Sequence, residues 1–205
     1  LGTTASGVMS TAMGYFTEAS GFQSTVMGDF TEASGNASIA MGSFTTASGS
    51  YSTAMGGSTE ASGIGSTAMG GGTEASGDFS TAMGDGTTAS SYGEMAIGTY
   101  NITYASSNPT SWAGIDPLFV IGNGTSTTSR SNAMIVYKNG NANFNNDVDV
   151  RGNMTIRGNT DMIGDVIIYD NTMVLGNLGL QNTELRLRGN GDPNHYLKYQ
   201  SGGGF

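Results

Sequence analysis

Seven copies of one fourteen-residue unit fill residues 1–98, and this short period restricts the possible folds more than any other feature of the chain. Glycine, alanine and methionine each recur at the same fourteen-residue step, as at Gly14, Gly28 and Gly42. A fixed period of this length predicts a solenoid, in which each unit is one coil and becomes stable only when it stacks on its neighbours. Such a chain is more often a rod or a surface than a catalyst.

The unit reads Ser-Thr-Ala-Met-Gly-x-x-Thr-Glu-Ala-Ser-Gly-x-x, as in residues 10–23. It divides into two halves, each with a five-residue segment ending in glycine and then two variable residues. We predict short strands at residues 10–14 and 17–21 and turns at the variable pairs, where glycine at the strand end provides the positive φ of a tight corner. A helix is disfavoured, because each glycine in a helix interior costs about 1 kcal/mol.

Strand alternation predicts which side chains point into the coil. Glu18 faces water, so Ala19 faces inward, and Ala12, seven residues earlier, meets it inside a thin, flattened coil. The predicted coil interior is therefore a set of alanines: Ala5, Ala12, Ala19, Ala33, Ala40, Ala47, Ala54, Ala61, Ala68, Ala75, Ala82 and Ala89.

The same alternation turns the methionine row outward, with neighbours about 4.8 Å apart along the stack. Burying six methionines would contribute roughly 9–18 kcal/mol per chain before entropy costs, and exposed apolar stripes of this size generally mark interfaces. We therefore predict self-association through Met13, Met27, Met41, Met55, Met69, Met83 and Ile97. The alternative is a monomer with methionine inside the coil and alanine outside.

Aromatic residues occupy several variable turn positions: Tyr15, Phe16, Phe22, Phe30, Phe44, Tyr51 and Phe79. These side chains are candidates for contact with a receptor or for aromatic stacks that stabilise the corners. The sequence alone leaves both roles open.

The composition argues against several classes of partner. A net charge of −9 disfavours nucleic acid, because phosphate contacts need clustered Lys and Arg. The chain has no cysteine, so it has no disulfide or thiolate metal site, and no apolar run is long enough to span a membrane.

The sequence also provides little for catalysis, and we predict no catalytic, cofactor or metal site. His195 is the only histidine. A Ser-His-Asp site with Asp192 is disfavoured, because no serine there has a recognisable nucleophile setting. Paired carboxylates along the stack are predicted to form a solvated acidic face rather than a calcium site: Glu18, Glu32, Glu60 and Glu74. A threonine ladder from Thr3 to Thr87 suggests ice binding, but its phase places it on the inward side.

The repeat loses its pattern at Ser91 and Glu94 and ends at Gly98. Residues 99–143 are predicted to form a connector with a β-hairpin, whose apolar strands 118–121 and 134–137 are separated by Gly- and Thr-rich sequence. Asn139-Gly140 supplies a turn after the second strand. In residues 144–205, short alternating segments closed by Gly-Asn predict a second β-solenoid or triple β-helix shaft.

The consensus Ser-Thr-Ala-Met-Gly-x-x-Thr-Glu-Ala-Ser-Gly resembles the head repeat of trimeric autotransporter adhesins, the YadA-like or haemagglutinin-type repeat, over residues 3–98. The resemblance implies a left-handed parallel β-roll, three of which pack into a homotrimer displayed on a bacterial surface. It names no receptor, and a glycan and a matrix protein are the classes we consider. Residues 99–205 resemble phage tail-fibre shafts more loosely. No neck motif, heptad coiled coil or membrane anchor is visible, and we expect a fragment of a longer fibre.

Together these features predict a non-enzymatic, all-β, extracellular fibre. A β-roll head is followed by a second β-rich trimeric shaft, and the whole projects from a cell or particle to make multivalent surface contacts. The alternative is a phage or injection-device tail fibre with structural and receptor-binding roles. A solenoid enzyme acting on polysaccharide is a third hypothesis, but no carboxylate pair interrupts the repeat to form a groove.

Overall fold

The computed structural model describes residues 2–104, 107–151 and 154–155, and all regular structure in these ranges is β-strand. The predicted all-β parallel solenoid of about seven coils is confirmed. Of the shaft predicted for residues 144–205, nearly all lies outside the described residues. The described residues up to Arg151 belong to one compact unit.

Each coil contributes one short and one long strand, and the coils stack so that equivalent strands are parallel neighbours. Equivalent residues pair in register, as Met69 does with Met83. The short strands form a seven-stranded sheet: β1 (Thr4–Ala5), β3 (Glu18–Ala19), β5 (Glu32–Ala33), β7 (Thr46–Ala47), β9 (Glu60–Ala61), β11 (Glu74–Ala75) and β13 (Thr88–Ala89). The long strands belong to a ten-stranded sheet: β2 (Thr11–Tyr15), β4 (Thr25–Asp29), β6 (Ile39–Ser43), β8 (Thr53–Gly57), β10 (Thr67–Gly71), β12 (Thr81–Asp85) and β14 (Met95–Thr99).

The strands depart from the predicted bounds in a regular way. The second strand of each coil has two residues rather than five, because the N–H groups of Ser20 and Gly21 both donate to the carbonyl of Ala33, at 3.1 and 3.2 Å. The chain therefore bends directly after Ala19. The first strand is shifted by one residue, so that the first variable residue, such as Tyr15, is part of the strand.

The two glycines of each coil are needed for different reasons, and only one of them has the positive φ predicted for both. Gly28 has a φ of 139°, and a Cβ there would collide with the carbonyl of Gly42 in the next coil. Gly21 lacks a left-handed φ, yet a Cβ there would collide with the carbonyl of Gly35. The left-handed corner conformation falls instead on the second variable residue, as at Phe16 with a φ of 49°.

The coil interior is narrow and filled by small side chains. From the second coil onward the inward alanines have no exposed surface: Ala19, Ala33, Ala40, Ala47, Ala54, Ala61, Ala68, Ala75, Ala82, Ala89 and Ala96. Val26 takes the same position in its coil and is equally buried. Ala5 is exposed and Ala12 half-buried, because the coil they belong to is covered on one side only.

Serine and threonine share this interior with the alanines. The threonine ladder lies inward as its phase predicts, whereas the inward serines are not among the predicted interior residues. The inward serines and threonines are buried in each coil from the second onward: Thr17, Ser24, Thr31, Ser38, Thr45, Ser52, Thr59, Ser66, Thr73, Ser80 and Thr87. Ser24 and Ser38 donate to the carbonyls of Gly21 and Gly35, at 2.8 and 2.7 Å. These two hydroxyls therefore satisfy backbone carbonyls at the bend that follows the short strand. Other inward hydroxyls are buried without a hydrogen-bond partner among the described residues: Thr31, Thr45, Ser52, Thr59, Ser66, Thr73, Ser80 and Thr87.

The connector extends the ten-stranded sheet instead of leaving it. Strand β15 (Pro117–Asn123) pairs in parallel with β14, and β16 (Asn132–Tyr137) and β17 (Ala142–Phe144) follow in antiparallel order. The hairpin strands are thus longer than predicted, and the turn after β16 contains Gly140 with a φ of 89°. Phe119 pairs with Met95 and Ile121 with Ile97, so the outward side of the solenoid continues on the same face.

Side chains close the last coil where another coil would otherwise stack. The Asn101 side-chain amide accepts the N–H of Thr88 at 2.8 Å and donates to the carbonyl of Thr88 at 2.9 Å, as a neighbouring strand would. Glu94 replaces the inward serine, and its carboxylate accepts the N–H groups of Ser90 and Ser91 at 3.0 and 2.8 Å. The changes at Ser91 and Glu94 are therefore specific features of the closing coil.

A buried lysine completes this closure. Lys138 Nζ donates to Ser91 Oγ at 3.0 Å, lies 3.9 Å from Asp116 Oδ2 and is 5.6 Å from the ring centre of Trp112. Burial raises the pKa of Glu94 above its ordinary value and lowers the pKa of Lys138. We call this group of Ser91, Glu94, Asp116 and Lys138 the closing cluster.

Candidate interaction surfaces

The methionine row lies on the outer side of the ten-stranded sheet, which we call the apolar face. Met13 is 57% exposed, Met27 38% and Met83 36%. The other members, Met41, Met55, Met69 and Ile97, are half-buried because they pack along the row. A second outward row runs beside them and is mostly threonine: Thr11, Thr25, Ile39, Thr53, Thr67, Thr81 and Met95.

The apolar face continues beyond the repeat onto the connector strands. Register carries the two outward rows onto Phe119 and Ile121 of β15, then onto Met134 and Val136 of β16. Phe144 of β17 pairs with Met134 and is 53% exposed. The sequence analysis did not assign these connector residues to an interface, because the strand pairing that aligns them is not evident from the period.

The opposite side of the coil, formed by the seven-stranded sheet, is the polar face. Its outward residues are Glu, Thr and Ser, with Glu18 paired in register with Glu32 and Glu60 with Glu74. The four glutamates are exposed. The molecule therefore has one apolar and one polar face, which the alternation of Met and Glu predicts.

Aromatic side chains stack at one of the two corners between the faces. Phe16, Phe30 and Phe44 lie parallel, with ring centres 5.1 Å apart and interplanar angles of 5° and 1°. The rings of Tyr15 and Phe16 pack edge to face, with their centres 4.4 Å apart. These four turn candidates thus form one aromatic stack, in which Tyr15, Phe30 and Phe44 are exposed and Phe16 is half-buried.

The remaining turn candidates are at the other corner and are not part of this stack. The rings of Phe79 and Tyr92 pack edge to face, with their centres 5.7 Å apart. Phe22 and Tyr51 are 45% and 70% exposed and have no aromatic neighbour among the described residues. The corners are therefore chemically different from each other and vary from coil to coil.

The described residues provide little for catalysis or metal binding. In the described ranges no three His, Cys, Asp or Glu side chains cluster as a metal site, and His195 and Asp192 lie outside them. Lys138 and Ser91 have the spacing of a base and a nucleophile. However, Ser91 is fully buried and donates to the carbonyl of Pro117 at 2.9 Å, so a substrate has no access to it.

Two further surface hypotheses can be examined directly. The threonine ladder is at most 2% exposed from Thr17 to Thr87, so these side chains cannot contact ice. Within the part of the chain that the structure describes, no helix has the length and hydropathy of a membrane span.

Comparison with known families gives one match. The YadA head domain repeat, as a unit of two copies, matches six overlapping windows: residues 5–31, 19–45, 33–59, 47–73, 61–87 and 75–101. Each window begins fourteen residues after the last, in phase with the coils. No curated protein matches the chain significantly. Residues 5–101 therefore match the YadA head domain repeat and are similar to the head repeats of trimeric autotransporter adhesins.

Proposed function

We propose that this chain is a segment of a trimeric, non-enzymatic adhesive fibre on a bacterial surface or a particle. Three copies assemble through the apolar face, and the polar face and the corners are turned outward. The observation that carries this proposal is the contrast between the two faces of each coil. Adhesins with YadA head repeats form homotrimers and are exposed on bacterial surfaces, which supports the same arrangement here.

The energetics of the apolar face favour association. Full burial of a methionine stabilises by roughly 1.5–3 kcal/mol, and only the surface that is still exposed, such as 38% of Met27 and 36% of Met83, contributes to association. The connector side chains Phe119, Ile121 and Met134 add to this area, so the proposed interface runs from β2 to β17. The alanine interior of a single coil buries far less apolar surface per residue.

Adhesion by this fibre depends on repetition. Three copies of each corner and polar face present the same shallow contact at many points, and linked weak contacts raise the overall affinity by multivalency. The receptor class is a glycan or a matrix protein. A deep enclosed site is not required for this mechanism.

The solution mass of the chain, measured by light scattering on a sizing column, tests the proposal. We expect three times the chain mass, and we expect Met41→Glu with Met55→Glu to reduce it, because each change puts a charge into the interface. Ser48→Glu with Ser62→Glu adds the same charge to the polar face and serves as the matched control. A folded wild-type monomer would contradict the proposal.

Cysteine cross-linking provides a second measurement that is independent of destabilising substitutions. The chain has no cysteine, so Met69→Cys and Ile121→Cys each introduce a single thiol on the apolar face. We expect covalent dimers with a short bismaleimide for both variants. Ser48→Cys, on the polar face, should stay monomeric on a denaturing gel. Equal cross-linking of all three variants would contradict the assignment of the apolar face to the interface.

A further inference from the structure

Arg130 occupies an unusual place in the charge distribution of this protein. Residues 1–129 contain no Lys or Arg, and the net charge is −9. Among the described residues, Lys138 is near Asp116 and Arg151 pairs with Asp149 at 3.0 Å. Arg130 is the only cation of that part of the chain without a carboxylate partner.

The guanidinium of Arg130 is held in place by backbone groups. Its Nη1 atom donates to the carbonyls of Gly86 and Asn101, both at 2.9 Å. One nitrogen is therefore used to fix the group against the last coils, and Nη2 and Nε are left for other acceptors. A planar guanidinium fixed in this way is suited to a carboxylate, which accepts two parallel hydrogen bonds.

Arg130 lines a shallow cleft of about 560 Å³ between the polar face and the connector. The polar face supplies Glu74, Ser76 and Thr88, and the connector supplies Tyr104 and Ser107. This volume is within the range of small-molecule sites. The cleft opens on the side of the coil opposite the apolar face, so the proposed trimer interface does not cover it.

The other side chains of the cleft suit a sugar. Serine and threonine hydroxyls can donate to or accept from sugar hydroxyls, and the Glu74 carboxylate can accept from them. Ser76 and Thr88 are half-buried, so their hydroxyls can reach a ligand, whereas Ser107 Oγ is buried and only contributes to the wall of the cleft. Tyr104 accepts a hydrogen bond from Asn132 at 3.0 Å, which orients its ring as an apolar wall.

From this arrangement we infer that the cleft binds a carboxylated sugar, with the carboxylate on Arg130 and the hydroxyls on Ser76 and Thr88. The inference rests on the proposed adhesive function and names the class of receptor that the fibre recognises. Arg130 gives the preference for an acidic sugar over a neutral one. The hydroxyl-lined floor gives the preference for a sugar over a simple carboxylic acid.

Titration of the full chain with N-acetylneuraminic acid, galacturonic acid and neutral galactose tests the inference. We expect saturable binding of at least one acidic sugar, little binding of galactose, and weaker binding in added salt. Arg130→Gln should reduce the affinity about 10- to 100-fold, since it removes a charge-assisted pair of hydrogen bonds. Arg151→Gln makes the same charge change away from the cleft and should leave binding unaltered.

A loss caused only by unfolding is distinguished by a second variant. Ser76→Ala removes a half-buried hydroxyl that lines the cleft, so we expect an unchanged unfolding temperature and weaker sugar binding. The inference is overturned if no acidic sugar binds, or if Arg130→Gln binds as well as the wild type. A trimeric mass without sugar binding refutes this inference alone, whereas a folded monomer refutes the proposed function.

Discussion

Gly56 and Gly57 are adjacent in the chain, yet a methyl group would meet very different surroundings at the two positions. At Gly56 the φ is 125° and a Cβ would collide with the carbonyl of Gly70, whereas at Gly57 nothing lies within 4 Å. We expect Gly56→Ala to lower the free energy of unfolding by roughly 2–6 kcal/mol, from backbone strain and overpacking together. Gly57→Ala is the control and should change it by no more than about 0.5 kcal/mol.

Chemical denaturation of the two variants beside the wild type measures this difference. Equal stabilities for Gly56→Ala and Gly57→Ala would show that close stacking of backbones does not require glycine at this position. At the residue scale the sequence predicted which positions recur, because spacing alone reveals them. It did not predict the reason for glycine at Gly21, since close contact between coils depends on atoms fourteen residues apart.

At the level of elements, the closing cluster makes stability depend on pH. Burial raises the pKa of Glu94 above its ordinary value of 4.5. As the pH rises, Glu94 therefore loses its proton at a lower pH in the unfolded chain than in the folded protein. The carboxylate therefore reduces stability as the pH increases from about 4.5 through the folded pKa. Glu94→Gln keeps the acceptor for Ser90 and Ser91 and cannot ionise.

The test compares the unfolding temperatures of the wild type and Glu94→Gln between pH 4 and 7. We expect the wild type to lose stability relative to the variant across this interval. A constant difference would mean that the pKa of Glu94 is not raised. The opposite slope would mean that the N–H groups of Ser90 and Ser91 and the charge of Lys138 outweigh the cost of burial.

The sequence predicted the repeating strands far better than it predicted their closure. Alternation of Met, Ala, Glu and Thr determines the two faces locally, so fourteen residues contain the needed information. The closing cluster joins Ser91 to Lys138. The Asn101 side chain forms the hydrogen bonds to Thr88 that the strand of a further coil would form. Contacts over such separations, like the cleft around Arg130, depend on how the connector folds back, which no local periodicity encodes.

For the whole molecule, the in-register stacking predicts how deletions behave. Removing residues 50–63 takes out one full coil and joins Gly49 to Ile64 in phase, so we expect a folded protein with a slightly lower unfolding temperature. Removing residues 50–56 is the control, because it places a Thr-Glu-Ala-Ser half where a long strand belongs. Circular dichroism during heating compares the two, and similar losses from both would contradict coil-by-coil stability.

Stacking in register also means that height is counted in whole coils. Every repeat adds about 4.8 Å to the distance between the aromatic corner and the closed end, and it brings its own interior, faces and corners. Duplication or loss of one unit in the gene therefore changes the length of the solenoid by one coil. The surfaces at either end keep their chemistry while the distance between them changes in equal steps.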